Sequence, residues 1–215
     1  MQLESILLGR AIRLLHISSA SKGRIYGLHL VRACEERYGF WQGPRTVDDF
    51  DLAKGVTFLH GHFQSRLVID KFQVFQNGML AEAKADTNEC DAFLDEFVGW
   101  IQSEFGISLN EEPSSPRFYQ SNLEIRGSFS LAEKLPKLNL IGREVSGKLH
   151  QYKQESADFE LVGLAYAAGA GAPSILRFER KEGVPEAERL YFCAAPLRTA
   201  DHLQIVEQLE SILAG

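Results

Sequence analysis

The residues predict an α+β protein made of two similar halves. Each half reads strand, helix, three strands, helix, with antiparallel sheets covered by amphipathic helices. Three observations carry this reading. First, four stretches place apolar residues three and four apart, the period of one buried helix face, and short β-branched and aromatic runs bounded by turn residues stand between them. Second, a constant offset carries Thr87–Ile101 (TNECDAFLDEFVGWI) onto Thr199–Leu213 (TADHLQIVEQLESIL). It matches Thr87 with Thr199, Phe93 with Ile205, Leu94 with Val206, Phe97 with Leu209, Trp100 with Ile212 and Ile101 with Leu213. Third, Gly106–Pro116 (GISLNEEPSSP) is rich in proline, serine and glutamate and reads as a linker. The expected division is residues 1–108 and 109–215, a pseudo-duplication packed as one compact unit.

The first half opens with residues 3–17, where Ile6, Leu8, Ile12, Leu14 and Ile17 lie among Glu4, Arg10, Arg13 and His16. A strand is expected, turning at Ser18–Gly23. Arg24–Tyr38 follows with Ile25, Leu28, Val31, Cys34 and Tyr38 at helical spacing, and Gly39 stops it. Phe40–Gly55 is a long irregular connection that has no counterpart in the second half, and its Thr46–Asp51 part suits a short helical turn. Strands are expected at Val56–Phe63, Leu67–Phe75 and Met79–Ala85. Gln64–Ser65 makes the first turn, and Asn77–Gly78 reads as a two-residue turn with positive φ. Thr87 is expected to cap the helix that runs to about Phe105, since a threonine oxygen can accept a first-turn N–H.

The second half repeats the order. Arg117–Phe129 reads as a strand. Leu131–Tyr152 carries Leu135, Leu138, Ile141, Val145, Leu149 and Tyr152 at helical spacing, with Pro136 near the regular start. Gly142 and Gly147 weaken that helix or admit a close neighbour. Strands at Phe159–Tyr166, Ile175–Arg180 and Leu190–Ala194 lead to the closing helix, which Thr199 is expected to cap.

Composition bounds the function. The chain has 215 residues, 45% hydrophobic and 24% charged, with 14 Phe, 6 Tyr and 2 Trp, enough to fill a sizeable core. Its formal net charge is -6, spread evenly over both halves, so neither offers the basic excess that phosphate neutralisation needs, and no nucleic-acid partner is expected. No apolar run approaches a membrane span and the N-terminus does not read as a signal peptide, so no membrane partner is expected and the cytoplasm is the expected location. Cys34, Cys90 and Cys193 are few, odd in number and widely spaced, which fits buried free thiols.

Chemistry-bearing motifs are sparse. His60-Gly61-His62 puts two imidazoles at i and i+2 on a strand, where they can share a metal, with Asp70 or Glu82 from neighbouring strands completing the set. That divalent metal is the only cofactor the residues suggest. Asp48, Asp49 and Asp51 lack the sequel of a calcium loop and suit capping. Ala168–Ala172 (AGAGA) precedes a proline and a strand rather than a helix, so a hairpin turn fits better than a phosphate loop. Neither a GxSxG elbow nor a cysteine–histidine pair at recognisable spacing occurs. Tyr38, Phe40 and Trp41 form the densest aromatic group outside the strands, a binding patch if exposed and core if buried. The expected function is a non-enzymatic interaction or assembly subunit that binds itself or a protein partner. The alternative is a metal-dependent or small-molecule enzyme with its site around His60 and His62 at the junction of the halves.

Overall fold

The computed structural model describes residues 1–17, 27–107, 109–110, 115–152, 159–167 and 175–214. The turn expected at Ser18–Gly23, the first residues of the helix expected from Arg24, residues 108 and 111–114 of the linker and the glycine-rich Ala168–Ala172 lie outside the described residues. In chain order the elements are β1 (Gln2–Leu14), β2 (His16–Ile17), α1 (Gly27–Tyr38), a 3-10 turn at Val47–Phe50, β3 (Val56–Phe63), β4 (Leu67–Phe75), β5 (Gly78–Ala83) and α2 (Thr87–Phe105). Then come β6 (Leu109–Asn110), β7 (Arg117–Arg126), α3 (Leu131–Lys134), α4 (Pro136–Gln151), β8 (Gly163–Ala167), β9 (Ile175–Arg180), a 3-10 turn at Glu186–Glu188, β10 (Leu190–Ala195) and α5 (Thr199–Ala214). One antiparallel sheet holds eight strands in the order β3-β4-β5-β1-β7-β10-β9-β8, and β2 pairs with β6 apart from it. The protein is therefore a mixed α+β fold. Among the described residues no helix is long and apolar enough to cross a membrane.

The contacts group into two compact units. The first is Ile6–Ser121 with Pro196–Thr199, and the second is Met1–Ser5, Asn122–Ala195 and Ala200–Gly215.

In the first unit the sheet turns Ala11, Phe58, Phe72 and Ala81 toward the helices. The register Phe58↔Phe72↔Ala81↔Ala11 sets these side chains in one row on one face. α1 adds Val31, Cys34 and Tyr38, and α2 adds Phe93, Leu94, Phe97, Trp100 and Ile101, all buried. The core is strongly aromatic. Phe72 meets Phe97 edge-on at 4.5 Å between ring centres and Phe93 at 5.2 Å, and Tyr38 meets Trp100 at 5.6 Å.

A charged residue is built into this core. Arg13 sits on β1 between Ala11 and Leu15 in the inward alternation and is 2% exposed. Its Nε and Nη2 both donate to Asp91 Oδ1, at 3.1 and 2.8 Å, Nη2 also reaches the Asp91 carbonyl at 2.8 Å, and Nη1 bonds Asp95. Asp91 Oδ2 accepts from Tyr119 Oη at 2.7 Å, and that oxygen accepts from Arg198 at 2.8 Å. Burial works against the Arg13 charge, but the hydrogen bonds to Asp95 and Asp91 outweigh it, so its pKa is raised. The bond from Arg13 correspondingly lowers that of Asp95.

Two turn-level expectations are corrected. The β4–β5 hairpin forms, but Phe75 pairs with Gly78, so the loop residues are Gln76 and Asn77 and neither has positive φ. Gly78 is there for close approach: a Cβ on it would lie 2.5 Å from the Arg13 carbonyl oxygen. Positive φ is found instead at Gln64 and Ser65, +50° and +57°, in the β3–β4 turn. The threonine caps are also redistributed. Asp86 caps α2 by accepting from the Asn88 N–H at 2.8 Å. Thr87 and Thr199, 112 residues apart, bond each other: each backbone N–H donates to the other's hydroxyl oxygen, at 3.1 and 3.0 Å. Both belong to the first unit and both are buried.

The second unit has a smaller buried set, centred on Leu123, Ile125, Phe178, Tyr191, Cys193 and Val206. Phe178 stacks on Tyr191 at 4.5 Å, and the Tyr191 hydroxyl donates to the Phe129 carbonyl. α4 begins at Pro136, as expected, but no residue of α4 is buried. Phe159–Val162 is irregular, and the strand begins only at Gly163. This segment lies along α4: the Phe159 N–H donates to Ser146 Oγ and the Leu161 N–H to Asn139 Oδ1, both at 2.9 Å. A Cβ on Gly142 would come within 2.3 Å of the Phe159 carbonyl oxygen, so this glycine admits the close neighbour.

Two measurements check these assignments. Asp91→Ala leaves the Arg13 guanidinium buried and half-paired, and urea denaturation is expected to register a loss on the order of 3–5 kcal/mol. Replacing both partners by apolar residues, Arg13→Met with Asp91→Leu, is expected to recover much of that loss. The second concerns His202, 1% exposed on α5, whose pKa burial lowers from 6.5 to about 4. Between those values the unfolded chain binds the extra proton and the folded chain does not. Stability therefore falls as the pH drops from 6.5 toward 4 and levels below it, roughly 3 kcal/mol over the window. Denaturation midpoints measured across that range should flatten in His202→Leu. An unchanged slope would contradict a buried neutral imidazole.

Candidate functional site

The residues singled out by sequence are distributed unevenly. Tyr38 and Phe40 are 4% and 5% exposed and belong to the aromatic core of the first unit. Tyr38 packs on Phe93 and Trp100 and its hydroxyl bonds Glu96, while Phe40 stacks on Phe72. Neither ring is available to a partner. Trp41, one residue further, is 83% exposed, with its ring 6.5 Å from that of His60. The alternation explains the split: Gln42 bridges Leu59 on the outer edge of β3, which turns Phe40 in and Trp41 out.

His60 and His62 are both exposed. His60 has φ +54°, unusual for a residue with a Cβ, and the buried face of β3 changes there from Val56 and Phe58 to Gly61 and Phe63. The two imidazoles therefore do not lie on the face that carries Val56 and Phe58. His62 pairs with Val68, whereas Glu82 pairs with Lys71 and Arg10 and its carboxylate accepts from Arg10 Nε at 2.9 Å. Asp70 is half-buried on β4. No group of three or more His, Cys, Asp or Glu among the described residues is arranged to hold a metal ion. The three thiols are buried, and burial pushes each up to about 12, which keeps them protonated and inert at neutral pH. Asp49 and Asp51 serve local turns: Asp49 accepts from the Arg45 and Thr46 N–H groups and Asp51 from that of Ala53.

The features the sequence did not reveal are a cavity and a helix face. The first unit contains a cavity of about 760 Å3 between α1, α2 and the inner sheet face, with the 40–55 connection as one wall. Val31, Phe50, Phe58, Val74, Phe97 and Ile101 are among its lining residues. His29, Arg45 and Thr46 lie at its exposed rim. A closed, dry void of that size would cost on the order of 18 kcal/mol. That exceeds the roughly 5–15 kcal/mol by which a domain is stable, so the space has to be open or filled. The only sequence signal for it was the length of the Phe40–Gly55 connection.

The second feature is the outer face of α4, in the second unit. Its less exposed side is Leu135, Asn139, Gly142, Ser146 and Leu149, largely small and polar, and it lies under the Phe159–Leu161 backbone. Leu138, Ile141 and Val145 face out, at 51%, 60% and 38% exposure, with Tyr152 exposed beyond them. The stripe expected to cover the sheet points to solvent instead, and the polar side of the helix accepts two N–H groups of the 159–161 segment.

No protein-family model matches the chain, and no curated protein matches it in sequence.

Proposed function

We propose that the chain is a non-enzymatic interaction or assembly subunit, and that the outward stripe of α4 is the surface through which it binds protein, in the first instance a second copy of itself. The observation that carries this is the reversed amphipathicity of α4: its apolar positions are exposed and its small polar positions are packed. A contiguous apolar stripe held in water is costly and usually marks a contact surface. Two features favour self-association. Leu138 and Val145 lie nearly symmetrically about Ile141, so two copies crossing antiparallel would set Leu138 against Val145 around a central Ile141 pair. Arg143 and Glu144 flank the stripe with opposite charges, as an isologous contact requires.

The same proposal includes an ancient duplication relating residues 1–108 and 109–215. The repeated element order supports it, as does a sheet order of four strands from each half, 3-4-5-1 followed by 7-10-9-8. So does the reciprocal bonding of Thr87 and Thr199, the pair matched by the sequence offset. Three free buried thiols suit a reducing cytoplasm.

Size-exclusion chromatography with light scattering tests the contact. The wild-type chain is expected to run as a dimer at micromolar concentration. Leu138→Ser, Ile141→Ser and Val145→Ser together are expected to weaken dimerisation by about a hundredfold or more, with an unchanged far-UV circular dichroism spectrum. A wild-type chain that stays monomeric at millimolar concentration, or a triple variant that dimerises as before, would remove the proposal.

A further inference from the structure

We propose that the cavity of the first unit is a binding site for an uncharged, predominantly apolar small molecule with one hydrogen-bonding end. The inference is independent of the α4 contact, which lies in the other unit. Three observations lead to it.

The first is size and lining. A volume of about 760 Å3 is that of a small-molecule site rather than of a packing defect. Its walls are Val31 and Cys34 from α1, Phe97 and Ile101 from α2, and Phe58 and Val74 from the sheet. Arg45 is the one charged side chain among the described lining residues, and it lies at the exposed rim. Such a wall holds water poorly and rewards an apolar occupant.

The second is how the wall is built. The connection between α1 and β3 leaves the core after Phe40, pairs Gln42 with Leu59, and comes back with Phe50 and Leu52 against the cavity. Between these points it is stiffened by short bonds of its own. Asp49 holds the Arg45 and Thr46 N–H groups at 2.9 and 2.7 Å, and the Gln76 N–H donates to the Leu52 carbonyl at 3.1 Å. A connection of this length folded into a wall preorganises the space, which lowers the ordering cost of binding.

The third is the charge at the rim, which selects the ligand. Arg45 is the cation nearest the opening, but Glu35 already takes both of its terminal nitrogens, Nη1 at 3.0 Å and Nη2 at 2.8 Å. Asp48 and Asp49 follow it closely in the chain, on the 3-10 turn Val47–Phe50. A carboxylate ligand would have to displace Glu35 and sit next to two like charges. An ammonium ligand would have to leave water for an apolar wall. A neutral ligand meets neither cost, and the Thr46 hydroxyl and the His29 imidazole can pair with its polar end. The cavity thiol, Cys34, is buried and protonated, so binding is non-covalent.

The test uses the full chain carrying the three serine substitutions on α4, so that its stripe does not capture the probe. Fluorescence titration with N-phenyl-1-naphthylamine, an uncharged apolar probe, is expected to saturate at one site. 1-Dodecanol is expected to displace it at least about tenfold more effectively than dodecanoate or dodecylamine. Val74→Trp fills the cavity and is expected to weaken probe binding about tenfold or more, while Val68→Trp on the exposed sheet face leaves it unchanged. A wild-type cavity readout guards against a filling variant that does not fold: amide shifts on adding 1-dodecanol should fall on residues 29–34 and 46–52. Failure of the probe to saturate, unchanged binding in a folded Val74→Trp, or shifts that avoid both stretches would overturn the site. Equal displacement by dodecanoate would overturn the assignment of an uncharged ligand.

Discussion

The first unit depends on one buried ion cluster. Arg13 has almost no contact with water, and among the described residues every side chain to which it donates is Asp91 or Asp95 on α2. A guanidinium can be buried only if its N–H groups are met by acceptors in the right plane. This requirement ties one strand to one face of one helix and permits no slip in either. A one-residue shift of β1 would send Arg13 to the other side of the sheet. A turn of α2 would take Asp91 out of reach. With that register set, Phe93, Leu94 and Phe97 come down on Phe72, and the aromatic core closes around them. Asp91 then passes the constraint on, since its second oxygen holds Tyr119 and Tyr119 holds Arg198. Apolar burial supplies most of the stability here, but it is non-directional. The ion cluster is what selects one arrangement among the many that would bury the same area.

The Thr87–Thr199 pair works in a similar way at smaller scale. A helix start leaves N–H groups without intrahelical partners. Here two starts satisfy one such group each by exchanging hydroxyl acceptors, and α2 takes its cap from Asp86. Such an exchange is the natural contact between two equivalent residues, and the sequence offset picks out the same two.

Much of the architecture could be read from the residues, and the misreadings have identifiable causes. The order of strands and helices was legible because period-two and period-3.6 patterns are local. Val31, Cys34 and Tyr38 mark the inner face of α1, and the Pro136 start of α4 follows from a missing N–H. What was not legible depends on non-local partners. Arg13 sits in the inward alternation with Ala11 and Leu15, but nothing near it in the chain announces Asp91. Gly78 looked like a turn residue and is instead a site of close approach to Arg13. Tyr38, Phe40 and Trp41 are near neighbours in the chain, yet Tyr38 ends the inner face of α1, and the bridge through Gln42 goes with a buried Phe40 and an exposed Trp41. His60 takes a left-handed conformation, and the buried alternation of β3 changes phase there, so His60 and His62 are exposed whereas Val56 and Phe58 are buried.

The contrast between α2 and α4 shows how far periodicity can be trusted. Both carry an apolar stripe of similar spacing. α2 buries Phe93, Phe97 and Trp100, and α4 leaves Leu138, Ile141 and Val145 in water. Spacing fixes which residues share a face but not which way that face turns. Direction is decided by what the polar face has to satisfy. On α2 the residues Asp91, Asp95 and Glu96 find cations or a hydroxyl at the edge of the core, at Arg13, Arg37 and Tyr38, so the apolar side can go in. On α4 the residues Asn139 and Ser146 accept N–H groups from a neighbouring irregular segment, and these bonds hold the small polar side in. The polar side of α4 thus meets the 159–161 segment while its apolar side stays in water, a surface with the composition of a core.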